Sequence, residues 1–266
     1  MYLEKAKEIL EKESKNKRVL VKNQRGALLI DEKYVHSYQV LGAGNMILKN
    51  EEIYKNENNE EKDLLKATVL LHDLGRFQEA VSFDVDHGIY GAELLCDDKD
   101  FGVAKVNLSI KHHGHLIEDL YNDEEYIGLS EKEKKEVKKY IFLVRDADKL
   151  ANFYLLAREF KYMEDLFFDK DKRTTDINPT PKVKECFFRR ESINKNDIKS
   201  LADQALMIMA CVYDLNYKSS FEFLIKMNVL EKLMNLFAKF WDKNDVELYK
   251  KELFDFVDER IKKASF

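Results

Sequence analysis

Apolar residues recur every three or four positions along most of this chain, which is the spacing of one buried face of an α-helix. Near the amino terminus such a face is formed by Leu3, Ala6, Ile9 and Leu10. Residues 60–74 carry a stronger pattern of the same kind, and Gly75 follows them at a position typical of a helix end. Another periodic segment, residues 101–113, ends before Gly114. The pattern predicts helices throughout this half of the chain.

Polar residues that favour helix starts stand before further periodic segments. Asp31 is expected to cap a helix that contains His36, and Asp86 is expected to cap a helix with the sequence HGIYGAELL. Ser130 and Glu133 form a capping-box pattern before a long segment that extends to residue 160. These positions predict where three of the helices begin.

The carboxyl-terminal part of the chain has the same helical periodicity. Residues 172–182 contain both prolines and are the clearest long loop, and the three segments after it are 196–216, 219–240 and 244–263. With 9 Gly and 2 Pro in 266 residues, the chain has few residues that break helices. The expected fold class is all-α.

The charge and the cysteine content limit the binding partners and the kinds of cysteine site that are expected. A net charge of −5 gives no basic field for a nucleic acid duplex or an anionic membrane surface, although local cations can still bind a small anion. The 3 cysteines are widely spaced and form no CxxC pair, so neither a disulfide framework nor a cysteine zinc site is expected. The chain has no apolar signal segment and no apolar run long enough to span a membrane. A soluble cytoplasmic protein is expected.

The histidines are the first sign of specific chemistry, because all 6 lie between residues 36 and 115. His72 and Asp73 are neighbours at the end of a predicted helix, where both side chains can reach one ion. An imidazole together with a carboxylate suits a borderline or hard divalent metal. His36, one helix upstream, is the expected third ligand, since facing helices of a bundle can supply side chains to one interior point.

A fourth ligand is expected from the long segment after Ser130, where two aspartates compete. Positions 137, 141, 144, 148, 151 and 155 share one helical face, and their residues are Val, Ile, Val, Asp, Ala and Leu. Asp148 interrupts this apolar, inward-facing stripe, and a buried charge of that kind needs a metal or a strong partner. Asp146 points about 200° away, where pairing with Arg145 or Lys149 at the surface would account for it. Asp148 is the predicted ligand.

The series His36, His72-Asp73 and Asp148 resembles the H…HD…D signature of the HD-domain metal-dependent phosphohydrolase superfamily. The last element of that family usually has the form ADxL, and residues 147–150 are ADKL. The resemblance covers about residues 30–155.

Two further stretches resemble the binuclear branches of the superfamily, which place two more histidine elements between HD and the last aspartate. DHGIYGAELL supplies His87, and IKHHGH supplies His112 and His113. The resemblance implies a compact HD-type helical bundle over residues 20–160. Residues 161–266 would form a helical extension packed on this core, or one continuous domain with it.

The resemblance also implies a site for one or two divalent ions from the set Fe, Mn, Ni, Co, Zn and Mg. The ligands of the first ion would be His36, His72, Asp73 and Asp148. Asp73 would bridge to a second ion bound by His87, His112 and His113. Because neighbouring histidines do not easily both point inward, one of the last two is left as a candidate substrate contact.

The implied activity is hydrolysis of a phosphoester, of a nucleotide or another small phosphorylated metabolite, by a metal-activated water. Asp73, Arg76 and Lys149 are the predicted catalytic residues, the two cations as phosphate contacts; Lys149 could instead be a surface residue paired with Asp146. Small bacterial members of the superfamily include dinucleoside tetraphosphatases, whereas the fuller signature of the GYP subgroup is missing here. A di-iron oxygenase and a non-catalytic nucleotide-binding or scaffold protein remain the alternatives.

Overall fold

The computed structural model describes residues 1–82, 84–168 and 173–263. Within these ranges the secondary structure is helical and contains no β-strand, apart from an isolated bridge between Thr174 and Ser200. The predicted all-α fold is therefore confirmed. Among the helices of the described ranges, none combines the length and the apolar character that crossing a bilayer requires.

The chain forms two compact units, Met1–Asp148 and Lys149–Phe266. The first unit contains α1 (Tyr2–Arg18), α2 (Gln24–Asn50), α3 (Glu52–Lys55), α4 (Asn59–Leu71), α5 (Arg76–Glu79), α6 (His87–Leu95), α7 (Ala104–His112), α8 (Ile117–Tyr121), α9 (Glu124–Gly128) and the first half of α10 (Glu131–Phe167). The second unit continues with α11 (Pro181–Phe188), α12 (Leu201–Ala210), α13 (Lys218–Lys226), α14 (Val229–Phe237) and α15 (Lys243–Lys262). Its 3₁₀ turns are Lys195–Asp197, Cys211–Asp214 and Ala238–Phe240.

The predicted helix starts are correct at two of three positions. The Asp86 side chain accepts hydrogen bonds from the backbone N–H groups of Gly88 and Ile89, at 2.9 and 3.0 Å. Ser130 and Glu133 form the expected capping box. Asp31, however, lies inside a helix, because α2 begins at Gln24 and its cap is Asn23, which accepts from Gly26 N at 2.8 Å.

Helix α4 lies at the centre of the first unit, packed against α1, α2 and α7. Its apolar residues from Leu64 to Leu71 are buried on every side rather than along one stripe. The helix ends at Leu71, earlier than the predicted stop at Gly75, so His72 and Asp73 form a turn that is itself buried. A buried imidazole and carboxylate need compensating partners, and the surrounding helices supply them.

Two glycines bring the start of α6 close to this turn and to α7. A Cβ atom at Gly75 would overlap the carbonyl oxygen of His87, and one at Gly88 would overlap that of Lys111. Glycine is therefore required at both places for the backbones to approach. The close approach places His87, the first residue of α6, beside the turn that contains Asp73.

Candidate metal centre

His72 is fully buried and its ring is fixed by a backbone hydrogen bond. Its Nδ1–H donates to the carbonyl oxygen of Val69 at 2.9 Å, so Nε2 is the lone-pair atom of the neutral ring. This Nε2 lies 3.6 Å from Asp73 Oδ2 and 3.6 Å from Asp148 Oδ1, and it has no hydrogen-bond partner. Burial opposes protonation, but these two carboxylates outweigh it and raise the pKa of His72. The same negative charges would favour a divalent cation.

The first potential ligand group combines residues of α2, of the turn after α4 and of α10 in the first unit. His36 from α2, His72 and Asp73 offer ligand atoms that all lie within 4.8 Å of one another. Asp148 from α10 joins them, with its Oδ1 3.0 Å from His36 Nε2. Burial would raise the pKa of Asp148, but the adjacent imidazoles of His36 and His72 hold it well below the usual range. The four residues expected for one ion are thus together.

Asp146, the competing aspartate, does not occupy its expected surface position. Its side chain is buried, so the sequence-based interpretation of a surface carboxylate is wrong. Helix α10 is enclosed on more than one side, as shown by the buried residues from Leu143 to Ala147, and helical phase alone therefore does not place a residue at the surface.

A second potential ligand group consists of Asp73, His87 and His113. The Nε2 atoms of the two histidines lie 3.6 and 3.2 Å from Asp73 Oδ1. His113 repeats the arrangement of His72: its Nδ1–H donates to the Ile110 carbonyl at 2.7 Å, so the lone pair of the neutral ring faces the carboxylate. Two facing lone pairs repel each other unless a cation lies between them.

The histidines of this second group are held in the uncharged form that binds metals. Burial is the main reason that the pKa of His87 is lowered to about 2, and the nearby Arg76 guanidinium lowers it further. Burial also lowers the pKa of His113, although the Asp73 carboxylate opposes this effect. The Nε2 atom of His87 is buried and has no hydrogen-bond partner, as expected for a ligand atom.

Asp73 links the two groups, since Oδ2 faces His72 and Oδ1 faces His87 and His113. Burial would raise its pKa, but Lys33, His72 and Arg76 hold the pKa well below the usual range. Asp73 is therefore an ionised carboxylate in the interior of the unit. Its two oxygens face the two potential ligand groups, one on each side.

His112 lies outside both groups. Its Nε2 is 2.8 Å from Asp123 Oδ2, which also accepts a hydrogen bond from Lys111 Nζ at 2.7 Å. Successive side chains of a helix point about 100° apart, so the end of α7 directs His113 to Asp73 and His112 to Asp123. His115, past the helix end, contacts Asp86 Oδ2 at 2.8 Å.

The basic residues near Asp73 include one that the sequence analysis missed. Arg76 was predicted, and its Nε lies 3.4 Å from Asp73 Oδ1 while its Nη1 donates to Glu79 at 2.5 Å. Lys33 was not predicted, although its Nζ lies 3.2 Å from Asp73 Oδ2. The available signal was its position on α2, one helical turn before His36.

Lys149, the other predicted cation, forms an ion pair within the second unit. Its Nζ lies 2.7 Å from Asp214 Oδ2, and both side chains are mostly buried. A lysine held this way has its charge compensated by a carboxylate of its own unit.

The residues of the two groups fit divalent metal ions. Both groups combine imidazole nitrogen with carboxylate oxygen, a donor set suited to Mn, Fe, Co, Ni or Zn. The Nε2 atoms of His72 and His87 are buried without hydrogen-bond partners, and the hydrogen bonds of His72 and His113 to backbone carbonyls orient their rings, as is usual for metal ligands.

Helical bundles can build metal sites from side chains on facing helices, and the two buried His/Asp groups of the first unit could hold divalent ions in this way. The family model of the HD domain matches residues 34–152, and this part of the chain is an HD domain. The resemblance drawn from the motifs is therefore confirmed. No curated protein and no solved structure matches the chain. HD domains are generally metal-dependent phosphohydrolases.

Proposed function

We propose that this protein is a metal-dependent phosphohydrolase that hydrolyses a phosphoester of a nucleotide or another small phosphorylated metabolite. The observation that carries the proposal is the sharing of Asp73 between two ligand groups, one on each carboxylate oxygen. Two bound divalent ions would activate a water molecule and polarise a phosphoryl oxygen. We assign this activity to a core of residues 20–160, with residues 161–266 as a helical extension.

We assign the ligands of each ion from the two potential ligand groups described above. The first ion would be held by His36, His72, Asp73 and Asp148, and the second by Asp73, His87 and His113. Each histidine would contribute its Nε2 lone pair, and the Asp73 carboxylate would be shared between the two sites. We assign His112 to neither ion, because its ring is engaged with Asp123.

Lys33 and Arg76 are the proposed phosphate contacts. Lys33 lies near Asp73 Oδ2, on the side of the first ligand group, and Arg76 lies near Asp73 Oδ1, on the side of the second. A guanidinium can donate two parallel hydrogen bonds to phosphate, whereas an ammonium acts as a point charge. The pair would orient the phosphoryl group over the shared carboxylate. Lys149 receives no such role, because Asp214 already compensates its charge.

Replacing Lys33 with methionine should raise KM for the substrate about tenfold or more, because a hydrogen bond to a charged group contributes about 1.5–3 kcal/mol. Metal content should stay at the wild-type level, since the variant removes a cation, not a ligand, from beside Asp73. Steady-state kinetics and elemental analysis check both parts. Lys7→Met, which removes an exposed lysine paired with Glu4 on α1, is the control. An unchanged KM would mean that Lys33 neutralises the charge of Asp73 and does not contact the phosphate.

The proposed function is tested by metal content and turnover together. Protein purified without chelator should contain two equivalents of a divalent transition metal, and chelation followed by reloading should abolish and restore hydrolysis. The substrate panel should include phosphomonoesters, nucleotides, dinucleoside polyphosphates and phosphodiesters. A folded, metal-loaded protein that releases no phosphate from this panel would refute the proposal. Iron-dependent oxygen consumption would indicate an oxygenase instead, and nucleotide binding without turnover a non-catalytic protein.

A further inference from the structure

Arg145 makes an unusual set of contacts with the end of α7. This buried residue of α10 donates from Nη1 towards the carbonyl oxygens of His112, His113 and His115, at 3.1, 3.0 and 2.6 Å. The three carbonyls belong to the last residue of α7 and to the turn that follows it, which contains one of the proposed ligands, His113.

Such carbonyls need a donor, since the last carbonyl groups of an α-helix have no partner within the helix. The His112 carbonyl also accepts from the backbone N–H of His115 at 3.2 Å, but a carbonyl of this largely buried turn that found no donor would lose its hydrogen bond with water. A cation also interacts favourably with the negative end of the helix dipole. The Nη1 group of Arg145 lies within hydrogen-bond distance of all three carbonyl oxygens, so its two N–H bonds are shared among them and tie the backbone from His112 to His115 to α10.

The same stretch of α10 serves both ligand groups. Asp148 lies one turn after Arg145 on this helix and supplies a carboxylate to the first group. Arg145 reaches the second group through the backbone of His113, whose Nε2 is 3.2 Å from Asp73. His113 also has its ring centroid 5.1 Å from that of His87, so a shift of the turn would move it relative to the other histidine of its group.

We infer that Arg145 is a positioning residue for the second ion: it holds the turn after α7 so that His113 meets Asp73 and His87. The inference rests on the proposed two-ion site. Removing the guanidinium should loosen His113 and weaken the second ion selectively. His36, His72 and Asp148, which would hold the first ion, lie on other segments of the chain than this turn, so the first ion should stay bound.

The test measures the affinity of each ion by titrating the metal-free protein with Mn²⁺ or Zn²⁺ in a calorimeter. In the neutral variants Arg145→Met and Arg145→Gln, the second ion should bind about 10- to 100-fold more weakly, the usual cost of losing a partner that orients a metal ligand. The first ion should change by less than about threefold. Arg145→Lys, which keeps a cation on a shorter side chain, should restore part of the loss.

Lys139→Met is the matched control, because it removes another buried cation of α10, one that pairs with Glu57 and Glu136 away from the α7 turn. It should lower the melting temperature and leave both ions bound. Equal weakening of both ions in the Arg145 variants, or no weakening of the second, would overturn the inference. If neither neutral variant folds, Arg145→Lys is the test. Weaker binding of the second ion alone would support the inference, and equal weakening of both ions or none of the second would overturn it.

The metal content of the wild-type protein distinguishes a failure of this inference from a failure of the proposed two-ion site on which it rests. Two equivalents of metal in the wild type, together with an unselective effect of the Arg145 variants, would overturn the role of Arg145 alone. Fewer than two equivalents in reloaded wild-type protein would overturn the two-ion site itself.

Discussion

Asp73→Asn should lower the rate of phosphoester hydrolysis at least about 10³-fold and reduce the metal content to one equivalent or less. Loss of an outer-shell partner already costs about 10–100-fold, and Asp73 is assigned as a direct ligand to both ions. Asparagine has nearly the same shape, so no cavity forms. What changes is charge: a neutral amide replaces a carboxylate that faces His72 through one oxygen and His113 through the other.

The same substitution should leave the helices in place. Lys33 and Arg76 lie 3.2 and 3.4 Å from the carboxylate oxygens of Asp73, and a neutral amide at this position would leave these cations without their shared counter-ion. A moderate fall in melting temperature with unchanged helical circular dichroism is expected. Elemental analysis and single-substrate kinetics on the folded variant measure the two main effects.

Asp123→Asn is the matched control for this variant. Asp123 is also a mostly buried aspartate that contacts a histidine and a lysine, here His112 and Lys111, but it belongs to neither ligand group. Its variant should keep two equivalents of metal and activity within about tenfold of wild type. Two ions and near-normal turnover in Asp73→Asn would remove the shared carboxylate from the proposed mechanism.

That His72, Asp73 and Asp148 face the interior could be predicted because their positions depend on short-range regularity. His72 and Asp73 follow directly on an apolar helix, and Asp148 interrupts the apolar stripe of another. Helical geometry converts both patterns into positions that face the interior. The structure brings these residues together with His36, as the motif order implied.

Other features depend on contacts between helices, which no local pattern specifies. Lys33 is near Asp73 only because α2 packs against α4. Asp146 is buried because more than one side of α10 is covered, although its phase alone indicated the surface. Asp31 and Asn23 are both good cap residues, and the longer helix that starts after Asn23 is the one that forms. Where the local sequence is compatible with two helix starts, tertiary packing determines which of them forms.

The neighbours His112 and His113 show most clearly that a local pattern does not distinguish between adjacent residues, because the sequence predicts both as ligands of the second ion. The structure directs His113 Nε2 to Asp73 Oδ1 and His112 Nε2 to Asp123 Oδ2. The ring of His113 also lies between those of His72 and His87, with centroids 5.1 Å from each. The two residues therefore have the same chemistry and adjacent positions but different partners.

His113→Ala should remove the second ion and lower activity about 100-fold or more, since a direct ligand is lost rather than an outer-shell partner. His112→Ala should keep two equivalents of metal and most of the activity, because Asp123 retains its ion pair with Lys111. Metal content and kinetics of the two variants, measured side by side, check the prediction. Both lose one buried imidazole from the end of α7, so a general loss of packing would affect them alike. The reverse result, with the second ion lost from His112→Ala alone, would assign the ligand to His112 and require the turn after α7 to rotate when metal binds.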